Sequence, residues 1–96
     1  MIEQTQIIEV TADTLIRTGP GLVYSIQVCA DGVTAGDSVE LVDGLTGAGT
    51  TRWRFIANAT DQTHSYCPSN PARFNTGIYV DVTLTGGAVY VTVQYS

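Results

Sequence analysis

Hydrophobic and polar residues alternate most regularly at the C-terminal end of the chain. From Ile78 to Tyr95 it reads IYVDVTLTGGAVYVTVQY, two period-2 runs on either side of Gly86-Gly87. Strict alternation marks strands with one buried face. A Gly-Gly pair between two such runs predicts a β-hairpin with a two-residue turn. In that register Leu84 faces Val89, Val82 faces Val91, Val80 faces Val93 and Ile78 faces Tyr95. The large aliphatics therefore share one face, and Tyr79, Asp81 and Thr83 share the other with Gln94, Thr92 and Tyr90. The prediction is a hairpin of strands 78–85 and 88–95.

The same pattern, weaker, runs through the rest of the chain. Residues 2–10 predict a first strand: Ile8 and Val10 alternate with Glu9, while Ile7 breaks the alternation. β-Branched residues favour strand over helix here. Residues 12–17 lead into Thr18-Gly19-Pro20-Gly21, a turn. Leu22–Ala30 is a strand with Tyr24, Ile26 and Val28 on one face and Val23, Ser25, Gln27 and Cys29 on the other. Residues 31–37 are a loop. Ser38–Asp43 is a strand with Val39 and Leu41 inward and Glu40 outward. Thr51–Ala57 is another, with Trp53 and Phe55 on one face and Arg52 and Arg54 on the opposite one. His64–Cys67 is a short strand, and Pro68-Ser69-Asn70-Pro71 is a loop in which proline forbids ladder donation. Six to eight short strands with a turn about every ten residues, and no amphipathic helix, predict an all-β fold. The expected architecture is a small antiparallel β-sandwich, jelly-roll-like or Greek-key, forming a single domain over 1–96. Residues 1–12 are expected to be an N-terminal arm or edge strand.

Composition narrows the function classes. Of 96 residues 14% are charged, none is lysine, and the net charge is −5. Only Arg17, Arg52, Arg54 and Arg73 are basic, so a row of phosphates would go unneutralised and a nucleic-acid partner is not expected. No apolar run approaches the ~18 residues of a membrane span, and none is expected to meet a membrane. The N-terminus has no basic region followed by a long apolar one, so no secretory signal is expected. The chain begins with Met1 and ends inside a strand pattern, as a complete small reading frame would. Without a secretory signal, Cys29 and Cys67 are expected as reduced thiols, with a single disulfide between them the alternative if the fold brings them together.

The chemistry-bearing residues form no recognisable site. His64 is the one histidine, and Cys67 alone stands at ligand spacing from it, short of the three or four ligands of a zinc site. Gly44–Thr50 has the spacing Gly-x-x-Gly-x-Gly, but a Walker loop ends in a lysine and a dinucleotide fingerprint opens a helix; neither follows. The aspartates, Asp13, Asp31, Asp37, Asp43, Asp61 and Asp81, follow turn chemistry and lack the alternating calcium pattern with its closing glutamate. No enzyme, cofactor or metal site is expected. Trp53, Tyr66, Tyr79 and Tyr90 are open to two readings, an interface or a sugar-stacking platform. Arg52 and Arg54 read either as an edge strand guarded by charge or as a docking contact.

Three segments carry a resemblance. Arg73–Val80 (RFNTGIYV) with Thr85–Tyr95 (TGGAVYVTVQY) resembles the C-terminal region of small structural proteins of tailed phages. Ser38–Gly44 is similar to a strand ending in Asp-Gly in the same proteins, and Thr18–Ile26 to their Gly-Pro-Gly lead-in to a strand. The resemblance implies a β-sandwich virion protein that decorates or cements the capsid, with the major capsid protein as partner and a homotrimer as the self-assembly. It implies a place on the capsid surface, after synthesis in the host cytoplasm. Arg52, Arg54, Tyr79, Tyr90, Ile7 and Ile8 are the candidate interface residues. A head–tail connector or tail component, and a carbohydrate-binding module, are the alternatives.

Overall fold

Nine strands and no helix make up the described residues, 5–96, of the computed structural model. Residues 1–4, the start of the expected strand over 2–10 and of the expected arm, lie outside them. The strands are β1 (Gln6–Val10), β2 (Thr14–Thr18), β3 (Gly21–Asp31), β4 (Ser38–Asp43), β5 (Thr50–Ile56), β6 (Gln62–Tyr66), β7 (Ala72–Phe74), β8 (Gly77–Thr83) and β9 (Ala88–Tyr95). Sheet A has the order β1-β9-β3-β6, with β7 also on β3; sheet B has the order β2-β8-β4-β5. Every pairing is antiparallel. With β7 set aside, the eight remaining strands follow the strand order of a jelly roll, the first of the two expected sandwich types.

This topology corrects the C-terminal hairpin. Strands 77–83 and 88–95 both exist, but β8 pairs with β2 and β4, whereas β9 pairs with β1 and β3. The segment 84–87 crosses from one sheet to the other. Alternation specifies which residues turn inward; it does not specify the partner strand. Ile78 and Val80 do share the core with Val89, Val91, Val93 and Tyr95, as expected, but as parts of two facing sheets. The turn chemistry is also different. Gly87 alone of the pair has a positive φ, 70°, so the segment is not a turn with left-handed backbone at both positions. Gly87 is required for a second reason: an added Cβ would overlap the Gly32 and Asp31 carbonyls beside it.

The core is built from the inward residues of both sheets. Val10, Ile26, Val28, Val39, Leu41, Phe55, Phe74, Ile78, Val80, Val91 and Val93 are among its buried members. Two irregularities shift faces away from strict alternation. The β3–β9 register slips between Val23 and Ser25, so Val23 is buried and Tyr24 only half-buried. This reverses the expected facing of the first part of β3. β2 was expected only as a lead-in to a turn; its register breaks between Leu15 and Arg17, which hides its period-2 pattern. Strands β6 and β7 lie end to end along β3, opposite Ile26–Ala30 and Gly21–Val23. The prolines of 67–71 explain the interruption, since they have no N–H for the ladder.

Two buried aspartates tie the sheet crossings down. Asp43 ends β4 and accepts backbone N–H bonds from Asn75 (3.0 Å), Thr76 (2.8 Å) and Gly77 (3.4 Å), the segment that carries the chain from β7 to β8. Asp37 accepts from Thr34 N–H (2.9 Å), Thr85 N–H (3.1 Å) and the Thr85 hydroxyl (2.5 Å), joining the 31–37 loop to the 84–87 crossing.

Candidate interaction surfaces

The outward residues of sheet A follow from its register. Ile7, Gln94 and Ser25 form one row across the sheet; Glu9, Thr92, Gln27 and Ser65 the next; Tyr90, Cys29 and Thr63 the third. Glu9 is the one charged side chain in these three rows. Ile7 is 71% exposed and Tyr90 41% exposed, which makes them the apolar relief on an otherwise hydroxyl- and amide-bearing surface. Ile8, also a candidate interface residue, turns inward opposite Val93 and packs on the core. Cys29 is exposed on this face, Cys67 is exposed in the loop after β6, and the two are unbonded, as expected.

The outer face of sheet B is different in charge. Leu15, Tyr79 and Val42 stand in one row and Glu40 and Asp81 in the next, with Arg54 beside Glu40. Arg54 donates to the Glu40 carboxylate. Asp13 enters from the β1–β2 connection and accepts the Val82 N–H (2.7 Å). Asp81 is therefore crowded by acid. Partial burial, then the charges of Asp13 and Glu40 and a hydrogen bond with Asp13, hold its carboxyl above the usual aspartate value. Burial and the charges of Asp13 and Asp81 push the Tyr79 hydroxyl up as well. The Gly47 backbone lies against the Asp81 carboxylate, and Val42 is fully buried although it points to this outer side. The glycine-rich 44–49 loop thus covers part of sheet B, a structural use of its glycines.

The expected common face of Arg52 and Arg54 is corrected by a bulge. The β4–β5 register slips between Leu41 and Val42: Leu41 faces Trp53 and Val42 faces Thr51, which leaves Arg52 as the extra residue. Arg54 stays on the outer face. Arg52 swings to the Asp43 carboxylate, 3.3 Å away at the end of the sandwich. Burial acts on Asp43 to raise it, and the bonds from Asn75, Thr76, Arg52 and Gly77 together outweigh that, so its carboxyl sits below the ordinary value.

Nor do the four aromatics form one platform. Tyr79 and Tyr90 are on the outer faces of opposite sheets. Trp53 and Tyr66 do meet, across the edge where β5 of sheet B faces β6 of sheet A. Their rings are 6.3 Å apart and inclined by 20°. His64 stacks on Trp53 at 5.9 Å and on Phe55 at 5.8 Å. Sequence spacing gave no sign of this seam, because its members come from strands paired in different sheets. Alternation along β6 was the available signal: His64 and Tyr66 are two apart and face the same way. Behind the seam lies a small hollow of about 90 Å³, lined by residues including Ile26, Arg52, Pro68 and Phe74.

The chain matches no protein-family model and no curated protein. Among the described residues no group of three or more His, Cys, Asp or Glu is placed to hold a metal ion. The geometry offers three surfaces: an almost uncharged face on sheet A, an acidic face on sheet B, and an aromatic seam at one edge.

Proposed function

We propose that the protein is a phage virion structural protein that docks on the head shell as a decoration or cement protein. What supports this most is the outer face of sheet A. Charge depletion with exposed aromatic and aliphatic side chains is the composition of an interface centre. Tyr90 and Ile7 supply the anchors, and the Ser, Thr and Gln rows supply hydrogen bonds to a partner backbone. A rigid sandwich with this face suits repeated docking on a lattice, where many weak contacts add as avidity. The resemblance of Arg73–Val80 and Thr85–Tyr95 to tailed-phage structural proteins points the same way, and a homotrimer is the self-assembly proposed with it.

The test is rebinding of the purified protein to heads stripped of their accessory proteins, with imaging of the decorated particle. Wild type should bind at regular positions with sheet A against the shell, and Tyr90→Asp or Ile7→Asp should weaken binding at least tenfold while leaving the thermal midpoint unchanged. Wild-type density found only on the tail would transfer the proposal to a tail or neck component. Absence from every particle part would end it.

The Trp53–Tyr66 pair favours carbohydrate binding as a second reading, because near-parallel rings at an exposed edge are able to stack on a sugar. A glycan array with signal lost in Tyr66→Ala would support it. An array without signal removes it.

A further inference from the structure

β1 and β6 bound sheet A, and β2 and β5 bound sheet B. An edge strand carries a row of backbone N–H and C=O groups without ladder partners, and proteins blunt such rows with bulges, charge or proline. Both edges of sheet B are blunted. The β2 register breaks between Leu15 and Arg17, and β5 carries the bulge at Arg52 with Arg54 beyond it. The edges of sheet A have no such break: β1 keeps an unbroken register with β9, and β6 with β3.

Of these two, β6 is the less protected. β1 carries the charge of Glu9, whereas β6 reads Gln-Thr-His-Ser-Tyr, without acid, lysine, arginine or proline. Thr63, His64, Ser65 and Tyr66 are all exposed. Among the described residues, no backbone–backbone hydrogen bond links β6 to anything but β3.

The strand also complements itself. Laid antiparallel on a second β6 about its middle residue, His64 meets His64, Thr63 meets Ser65 and Gln62 meets Tyr66. Hydroxyl pairs such as Thr–Ser are favourable across antiparallel strands. The same operation on β1 sets the exposed Ile7 opposite the charge of Glu9. In the β6 arrangement Thr63 and Ser65 of both copies stay on the outer face of sheet A, so both copies turn that face to the same side. The pairs on the other face cover His64 and Tyr66, the latter 44% exposed, at the open end of the aromatic seam.

We propose that β6 pairs antiparallel with β6 of a second copy of this chain, joining the two A sheets into one across a two-fold axis. The contact is self-complementary, as a two-fold requires. Five residues a side make a small interface. It is therefore weak in solution and gains strength where copies sit side by side on a lattice. It uses a backbone edge rather than the outer face of sheet A, so it stands or falls apart from the docking of that face. Being two-fold, it would join one trimer to the next rather than build the trimer.

Sedimentation equilibrium over a range of concentrations, with amide exchange followed residue by residue, tests this. The average mass of the wild type should rise with concentration. Exchange of the β6 amides that point away from β3 should slow in step, and exchange along β1 should not change. Two double variants report the register. Thr63→Lys with Ser65→Lys sets lysine opposite lysine and should weaken association at least tenfold. It does so although it reduces the net charge of −5, and with it the general repulsion between copies. Thr63→Lys with Ser65→Glu sets lysine opposite glutamate and should associate at least as tightly as the wild type. Both positions are exposed, so both variants should keep the wild-type thermal midpoint. A mass that does not change with concentration would overturn the proposal. So would slowed exchange confined to strands other than β6, or an equal effect of the two double variants.

Discussion

Replacing Asp43 with alanine tests how the jelly roll fastens its crossing from β7 to β8. The substitution removes the acceptor for the Asn75, Thr76 and Gly77 N–H groups and the partner of Arg52. Hydrogen bonds to a charged group contribute about 1.5–3 kcal/mol each, with incomplete additivity, and water will reach some of the freed groups. The 3.4 Å contact to Gly77 is the weakest of the three. Two strong bonds and one weak one give an expected loss of about 3–4 kcal/mol. The Arg52 side chain is 45% exposed, so its ion pair adds less than about 1 kcal/mol. A domain of this size has about 5–14 kcal/mol of stability in all, so the loss is large. Urea unfolding followed by tryptophan fluorescence should show the midpoint falling by about 2–3 M. Asp43→Asn keeps an acceptor and loses the charge, and should cost about 1–2 kcal/mol. The folded-state value of Asp43 is depressed below the ordinary 3.8, so its contribution is present above that pH and is lost as pH falls through the depressed value. The gap between wild type and Asp43→Ala should therefore close in strong acid. An alanine variant no less stable than the asparagine one, or a gap unchanged down to pH 2, would refute the account.

Asp81→Asn should stabilise the protein at neutral pH by up to about 1 kcal/mol, because it removes a carboxylate crowded by Asp13 and Glu40 on a partly solvated face. Since the Asp81 value is raised, the native ion costs stability above that raised value, so the gain should vanish below about pH 4; thermal melts across pH will show it. Gly87→Ala should cost at least about 2 kcal/mol by urea titration, because φ is positive and the Gly32 carbonyl fills the space a Cβ needs. Phe74→Ala, at a side chain 1% exposed, should cost about 3–5 kcal/mol in the same assay.

Strand positions and inward residues were legible where alternation ran unbroken: β4 and β9 lie where predicted, and Val39, Leu41, Val91 and Val93 are inside. What remained illegible was pairing between strands. The run around Gly86-Gly87 satisfies a hairpin and a sheet crossing equally well by its side-chain pattern. The deciding contacts, Asp37 to Thr85 and Gly87 against Gly32, involve loops far apart in sequence. Bulges limited the surfaces in the same way. One extra residue at Arg52 separated it from Arg54, and the slip after Leu15 concealed β2. Alternation placed Tyr90 on an outer face, and the register of β9 with β1 puts Ile7 on that same face.

The position of β9 has a consequence for how the protein matures. Of the nine strands it is synthesised last, yet it lies between the first and the third. Sheet A therefore cannot grow outward strand by strand as the chain emerges. Until residues 88–95 arrive, β1 has no neighbour in its sheet, and one hydrogen-bonding edge of β3 awaits its longest partner. Bringing Gln6 opposite Tyr95 closes nearly the whole chain into one loop. Folding should thus be slow, and it should begin only after the ribosome has delivered β9. A nascent chain paused before Gly87 is the species that chaperones or proteases would meet.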